Sequence, residues 1–252
     1  MINLSSGELK SLTGEITANL GGVNVNADCV WYKDVCNLAD TGDCTGRCIR
    51  FMEMRRLCEL AELPKQNYLP PKLYADGSDR VAFRELMSVK QSILDFVHSG
   101  SNLYIYSEST GNGKTSWATR LLVSYFNEIW SGNGFNCRGV FVFVPKLLAM
   151  HKASFSGDES GLKSLVHKLY TADLVVWDDI AVQSLTPYEH TLLLTYIDYR
   201  ITNGLANIYT GNADEENMKD FLGQRLYSRV WGTSRHIHFT ETDKRNKNEV
   251  TL

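Results

Sequence analysis

The chain has no long apolar run and little proline. No uncharged apolar stretch approaches the roughly 18 residues that a membrane-crossing helix needs, so no transmembrane segment is expected. Its first residues, Met1-Ile2-Asn3-Leu4-Ser5-Ser6, carry no basic region followed by an apolar core. A secretory signal is therefore not expected, and the cytoplasm is the expected compartment. Five prolines and 19 glycines in 252 residues exclude collagen-like and proline-rich low-complexity classes. Neither sign of charge dominates. The 26 Lys and Arg against 29 Asp and Glu give a net charge of −3, which excludes nucleic-acid binding by bulk charge and leaves only a local site. No internal repeat at solenoid periods is visible.

What is present is a globular composition, with 43% hydrophobic and 22% charged residues. The length suits one or two domains. Three of the five prolines fall in Leu63-Pro64-Lys65-Gln66-Asn67-Tyr68-Leu69-Pro70-Pro71-Lys72, and Asp76-Gly77-Ser78-Asp79 follows. Proline removes backbone donors and disfavours helix in the residue before it. This stretch reads as an extended linker, dividing the chain into residues 1–63, a linker 64–79 and residues 80–252.

Ahead of the linker, Arg47 to Glu62 has helical spacing, with Phe51, Met54, Leu57, Cys58 and Ala61 on one stripe. After it, helix and strand patterns alternate. Helices are expected at Val81–Ser99, Lys114–Trp130, Gly161–Tyr170, Pro187–Thr202 and Asp214–Val230, the last broken near Gly223. Strands are expected at Asn102–Ser107, Val140–Val144, Leu174–Trp177, Ala206–Thr210 and His236–Thr240. Alternation of this kind predicts an α/β fold with a parallel five-stranded sheet and flanking helices.

The strongest motif follows the first strand: Ser107-Glu108-Ser109-Thr110-Gly111-Asn112-Gly113-Lys114-Thr115. A loop ending in Gly-Lys-Thr and opening a helix is the Walker A context. Gly111 and Gly113 let backbone N–H groups turn inward, and Ser109, Thr110 and Asn112 complete the cradle. Lys114 supplies a point charge to the β and γ phosphates of ATP, and Thr115 offers its hydroxyl to Mg²⁺. Glu108 stands where the pattern has its first glycine. A second acidic element follows a wholly apolar strand, Leu174-Val175-Val176-Trp177-Asp178-Asp179. Asp178 is placed to hold Mg²⁺ and Asp179 to polarise the attacking water. Asn212, at the end of Ile208-Tyr209-Thr210-Gly211-Asn212, is the candidate contact to the γ-phosphate or its water, with Thr210 in reserve. In Arg225-Leu226-Tyr227-Ser228-Arg229-Val230 two arginines lie four apart on one helix face, and Arg229 is the candidate for reaching a neighbouring subunit's phosphate.

The order of these motifs, from the phosphate loop through Asp178-Asp179 and Thr210-Gly211-Asn212 to Gly223-Gln224-Arg225-Leu226-Tyr227-Ser228-Arg229, resembles AAA+ ATPases of the DnaC/DnaI helicase-loader group. The resemblance spans residues 80–240. It implies an AAA+ P-loop core without a lid domain and ATP hydrolysis with Mg²⁺. Lys114, Thr115, Asp178, Asp179 and Asn212 would act in their own subunit and Arg229 in the next. It further implies a replicative DNA helicase hexamer as partner, contact with single-stranded DNA and self-association through the AAA+ domain. Asp179 departs from the Glu common at its position, which leaves slow hydrolysis open. The cysteine-rich N-terminus and the Arg50-Phe51-Met52-Glu53-Met54-Arg55-Arg56 helix look like those of phage-encoded loaders. Two other readings stay open: a transposition-helper AAA+ ATPase, and a non-hydrolysing ATP-sensing adaptor.

Four of the six cysteines fall close together as Cys29-x₆-Cys36-x₇-Cys44-x₃-Cys48. Reduced thiols so grouped suggest metal before disulfide. Four thiolates suffice for a closed Zn²⁺ site, which would staple a small N-terminal domain; an iron–sulfur cluster is the rival. Cys58 and Cys137 read as buried small hydrophobes.

Overall fold

Among the described residues one sheet is built from the largely apolar strands β1 (Asn102–Tyr106), β2 (Gly139–Phe143), β3 (Leu174–Asp178) and β4 (Ala206–Gly211) and the mostly polar β5 (Ser234–His238). Its order is β2-β3-β4-β1-β5, and every pairing is parallel. The computed structural model describes residues 48–65, 77–132, 136–159, 161–181 and 184–240. Every residue of β3 and of β4 is buried, as strands covered on both faces require, whereas β5 exposes three of its five residues at the sheet edge.

The helices are α1 (Ile49–Leu60), α2 (Arg80–Gln91), α3 (Ile93–His98), α4 (Lys114–Ile129), α5 (Val144–Ser154), α6 (Leu162–Thr171), α7 (Pro187–Thr202) and α8 (Glu215–Val230). Two features of the helices differ from expectation. The helix expected over 81–99 is divided at Ser92, whose N–H and hydroxyl both donate to the Ser88 carbonyl, at 3.1 and 3.0 Å. Helix α5 was not foreseen. It starts directly where β2 ends, with Pro145 in its first turn, where a fixed φ and a missing donor suit a helix start. The break in α8 does occur at Gly223, at φ 68° and ψ 160°. The last strand lies two residues earlier than expected, and Phe239 continues the pairing by donating its N–H to the Tyr106 carbonyl at 2.9 Å.

The compact α/β unit begins at Glu53, so most of α1 packs with it, ahead of the boundary read from the prolines. The stripe residues Met54, Leu57, Cys58 and Ala61 are buried. The Ala61 carbonyl accepts the Phe141 N–H at 2.8 Å, satisfying a backbone donor on the outer strand β2. Lys168 on α6 pairs with Glu62 at 2.7 Å. Burial pushes the Cys58 thiol up to about 12, which makes it an inert core group. Cys137 is only half-buried and donates to the Leu60 and Gly139 carbonyls. Residues 66–76 of the linker lie outside the described residues.

A polar belt ties the sheet together where its strands begin. Arg200 on α7 is fully buried. Its guanidinium donates to Asn207 Oδ1 at 2.7 Å and to the carbonyls of Leu169, Ala172, Asp173 and Ala206 at 2.8, 2.9, 3.3 and 2.7 Å. Asn207 also accepts from Trp177 Nε1 at 3.0 Å and donates to Asn102 Oδ1 at 2.8 Å, joining β3, β4 and β1. The opposite end of the sheet, where the strands finish, is thereby left for loops that bind and react.

Helix α7 starts with a capping box. Glu189 accepts from the Thr186 N–H and hydroxyl, each at 2.8 Å, and pairs with Lys152 at 2.8 Å. The Lys152 contact first, and then the Thr186 N–H, pull the Glu189 carboxyl from 4.5 to about 2. A depressed carboxyl stabilises the fold above its unfolded value and loses that contribution as pH falls through the folded one. Because Lys152 is mostly exposed, the contribution is about 1–2 kcal/mol. Urea unfolding is expected to show Glu189→Gln weaker by that amount at pH 7, with the gap closing towards pH 2.

Candidate active site

The loop after β1 emerges between the ends of β4 and β5, and the loop after β3 lies one strand further on. This order brings the phosphate loop beside Asp178, Asp179 and Asn212. Gly111 (φ 73°) and Gly113 (φ 100°) both adopt left-handed backbone, which folds the loop back over the N-terminus of α4. A cleft of about 410 Å³ results, lined by the loop from Thr110 to Thr115 with Ser116, Asp179 and Asn212.

Lys114 is buried at the mouth of this loop. Its Nζ donates to the Ser109 carbonyl at 2.7 Å, to Asn112 Oδ1 at 3.2 Å and to the Ser107 carbonyl at 3.4 Å. The Ser109 N–H in turn donates to Ser107 Oγ at 3.1 Å. The ammonium is thus held by oxygens of the loop itself, in the lining of the cleft.

Thr115 and Asp178 meet directly, Oγ1 to Oδ1 at 2.8 Å. That Asp178 oxygen also accepts from Thr210 Oγ1 at 2.7 Å. The Thr210 oxygen accepts the Asp179 N–H at 3.0 Å, so one buried hydroxyl fixes both acids. Asp179 sits at φ 59°, a left-handed conformation that Asp tolerates better than most residues and that turns it off the strand line towards the cleft. Burial raises the carboxyl of Asp178 above the ordinary range, against the pull of Thr210 and Thr115. Burial likewise raises Asp179, opposed by Lys114. A hydroxyl and a carboxylate in contact at the base of a phosphate loop are hard oxygen donors, and this donor set fits Mg²⁺.

Thr210, a reserve candidate in the sequence, is therefore the residue that joins the two acids, while Asn212 lines the cleft itself. Gly211 between them is required by a close approach. A Cβ there would stand 2.4 Å from the hydroxyl of Tyr104, which donates to the Ala213 carbonyl at 2.8 Å. Glu108, in place of the first loop glycine, pairs with His238 at the end of β5 at 3.0 Å. That contact lowers the Glu108 carboxyl and ties the loop to the sheet edge. The sequence offered no signal for this pair, 130 residues apart.

Arg229 is not part of this cleft. It lies with Arg225 on α8, beside Leu194 and Asp198 of α7, in a separate cleft of about 460 Å³. Of the four grouped cysteines, Cys29, Cys36 and Cys44 lie outside the described residues, and Cys48 is exposed just ahead of α1. Among the described residues no three His, Cys, Asp or Glu side chains converge on a metal-sized site, and no helix is long and apolar enough to cross a membrane.

No family model matches the chain. The replicative helicase loader DnaC of Buchnera aphidicola subsp. Schizaphis graminum is 27% identical over 169 residues, covering 66% of this chain and 61% of that protein. The chain thus spans about three fifths of the length of that relative. Among solved structures, the DnaC helicase loader superposes with a TM-score of 0.58 at 17% identity over 70% of this chain and all of that one. DnaI gives 0.56 at 17% identity, over 73% of this chain and 94% of that one. AMPPCP-bound DnaA from Aquifex aeolicus gives 0.50 at 18% identity, over 66% and 48%. In sequence the chain is similar to helicase loaders of the DnaC type, and its parallel five-stranded sheet with flanking helices is the AAA+ fold of those proteins.

Proposed function

We propose that the chain is an ATP-dependent loader that binds the replicative DNA helicase and delivers it to single-stranded DNA. The observation that carries this reading is one cleft lined by Lys114, Thr115, Asp179 and Asn212, with Asp178 bonded to Thr115 at its base, in a chain whose similar proteins are replicative helicase loaders. The loop amides and Lys114 bind the phosphates. Thr115 and Asp178 would hold Mg²⁺, which neutralises phosphate charge when bound. Asp179 orients a water and takes its proton as that water attacks the γ-phosphorus, the bond from that phosphorus to the β–γ bridging oxygen breaks and ADP leaves, and Asn212 fixes the position of that water or phosphate. Arg229 of one subunit reaches the γ-phosphate held by the next, so turnover depends on assembly. ATP binding would order the subunits, and hydrolysis would release the helicase.

The N-terminal cysteines Cys29, Cys36, Cys44 and Cys48 would carry a structural Zn²⁺ in a helicase-gripping domain. Their grouping supports this, and elemental analysis of the purified chain is expected to find equimolar zinc; iron with labile sulfide would contradict it. The same cysteine-rich segment and the α1 sequence support a phage origin, and the reading places the protein in the cytoplasm.

A loading assay tests the function. Purified helicase is mixed with closed circular single-stranded DNA carrying an annealed tailed oligonucleotide. Unwinding is expected to require this chain and ATP. Equal unwinding with and without the chain would refute the loader reading.

A further inference from the structure

Arg229 is held by a carboxylate of its own subunit. Asp198, on the facing side of α7, approaches Arg229 Nε with Oδ1 at 2.6 Å. This ion pair is close but poorly aligned. Asp198 Oδ1 is shielded from solvent yet has no aligned hydrogen-bond donor, so charge holds the guanidinium more than geometry does. Both side chains are nearly half exposed, at 47% for Arg229 and 43% for Asp198, which keeps the pairing weak. The contact uses the inner nitrogen. Arg229 lines a cleft together with Arg225, Gln224 and Ser228.

Two arginines and two polar side chains around an open cleft suit a phosphate better than they suit one carboxylate. Asp198 draws the guanidinium towards α7 of its own subunit and so away from a neighbour, and a bidentate phosphate contact is stronger than a single misaligned ion pair, so the two anions compete for it. The carboxylate also repels any incoming phosphate. We propose that Asp198 is a competing anion for Arg229: it holds the guanidinium in the lone subunit, and the γ-phosphate bound to a second copy of this chain displaces it. Asp198 is then a positioning residue that sets the subunit concentration at which ATP drives assembly. The inference rests on the assignment of Arg229 to the neighbouring subunit's nucleotide.

The test is sedimentation velocity of the full chain over a concentration series, with Mg²⁺ and a non-hydrolysable ATP analogue. Wild type is compared with Asp198→Asn, Arg229→Ala and the double variant. Asp198→Asn keeps the side-chain shape, and a thermal melt confirms that it folds. Loss of an exposed ion pair of this kind is expected to lower the assembly midpoint about 2–5-fold. The gain should vanish in the double variant, which should match Arg229→Ala. An unchanged or raised midpoint in Asp198→Asn, with Arg229→Ala impaired, overturns the role of Asp198 alone. If Arg229→Ala assembles and hydrolyses ATP as wild type does, the assignment of Arg229 fails, and the proposal with it.

Discussion

Lys114→Ala is expected to lose ATP binding, and Asp179→Asn to keep binding while losing turnover. The two residues share one cleft but act on different quantities. Lys114 is the buried cation of the loop that the proposed function sets against the phosphates, and its Nζ is already oriented by three oxygens of the loop. Removing it deprives the bound anion of a preorganised charge, which costs about 2–5 kcal/mol of binding. Asp179→Asn keeps the side-chain size and the backbone N–H that binds Thr210. It removes only the group that accepts a proton, with an expected fall of about 10²-fold in turnover. The pH dependence should separate this from a folding defect. Burial raises the Asp179 carboxyl, and a base acts only when ionised. Hydrolysis by the wild type should therefore rise with pH through that raised value, and Asp179→Asn should lack that limb. Isothermal titration and a coupled phosphate-release assay make the comparison. A wild type that binds ATP without turnover, indistinguishable from Asp179→Asn, would indicate a nucleotide-sensing adaptor instead.

Arg200→Leu is expected to destabilise the fold by about 3–5 kcal/mol, since it strands several buried acceptors at once. Every acceptor around this guanidinium is a carbonyl oxygen, four from the backbone and one from Asn207. Burial lowers the guanidinium only to about 10, so the charge persists at neutral pH and those dipoles solvate it. Arg200→Lys restores a charge but not the planar fork, and should recover less than half of the loss. Urea unfolding at neutral pH measures both. A loss in Arg200→Leu no larger than that of an average surface substitution would show that the belt does not hold α7 against β3 and β4. The proposed ATP site lies at the other end of the strands, so a folded Arg200→Lys protein should bind ATP as the wild type does.

How far each feature could be read from the sequence follows from how local its cause is. The glycines, Lys114 and Thr115 are consecutive, and their spacing specifies a strand–loop–helix turn. Asp178-Asp179 was legible because the strand before it is wholly apolar. The helix over Pro187–Thr202 was legible, and its start carries a Thr186–Glu189 capping box, a local signal of the same kind. The rest depends on residues the fold alone brings together. Thr210 joins Asp178 and Asp179 across more than thirty residues, a role that only the adjacency of β3 and β4 creates. The Glu108–His238 pair needs β1 beside β5. Arg200 reads as a polar residue in a helix, and nothing in its neighbours announces full burial. Helix α5 was hidden because Val144-Pro145 looks like the end of a strand, whereas the proline opens the next helix.

The central claim is tested most directly by co-sedimentation of the purified chain with the replicative helicase of its own host. The chain should migrate with the helicase hexamer in ATP and Mg²⁺, and Lys114→Ala should lose any part of that association that ATP supports. If the wild-type chain and the helicase sediment separately at concentrations well above those of the cell, with and without ATP, the account is contradicted. The cleft around Lys114 would then serve a different partner.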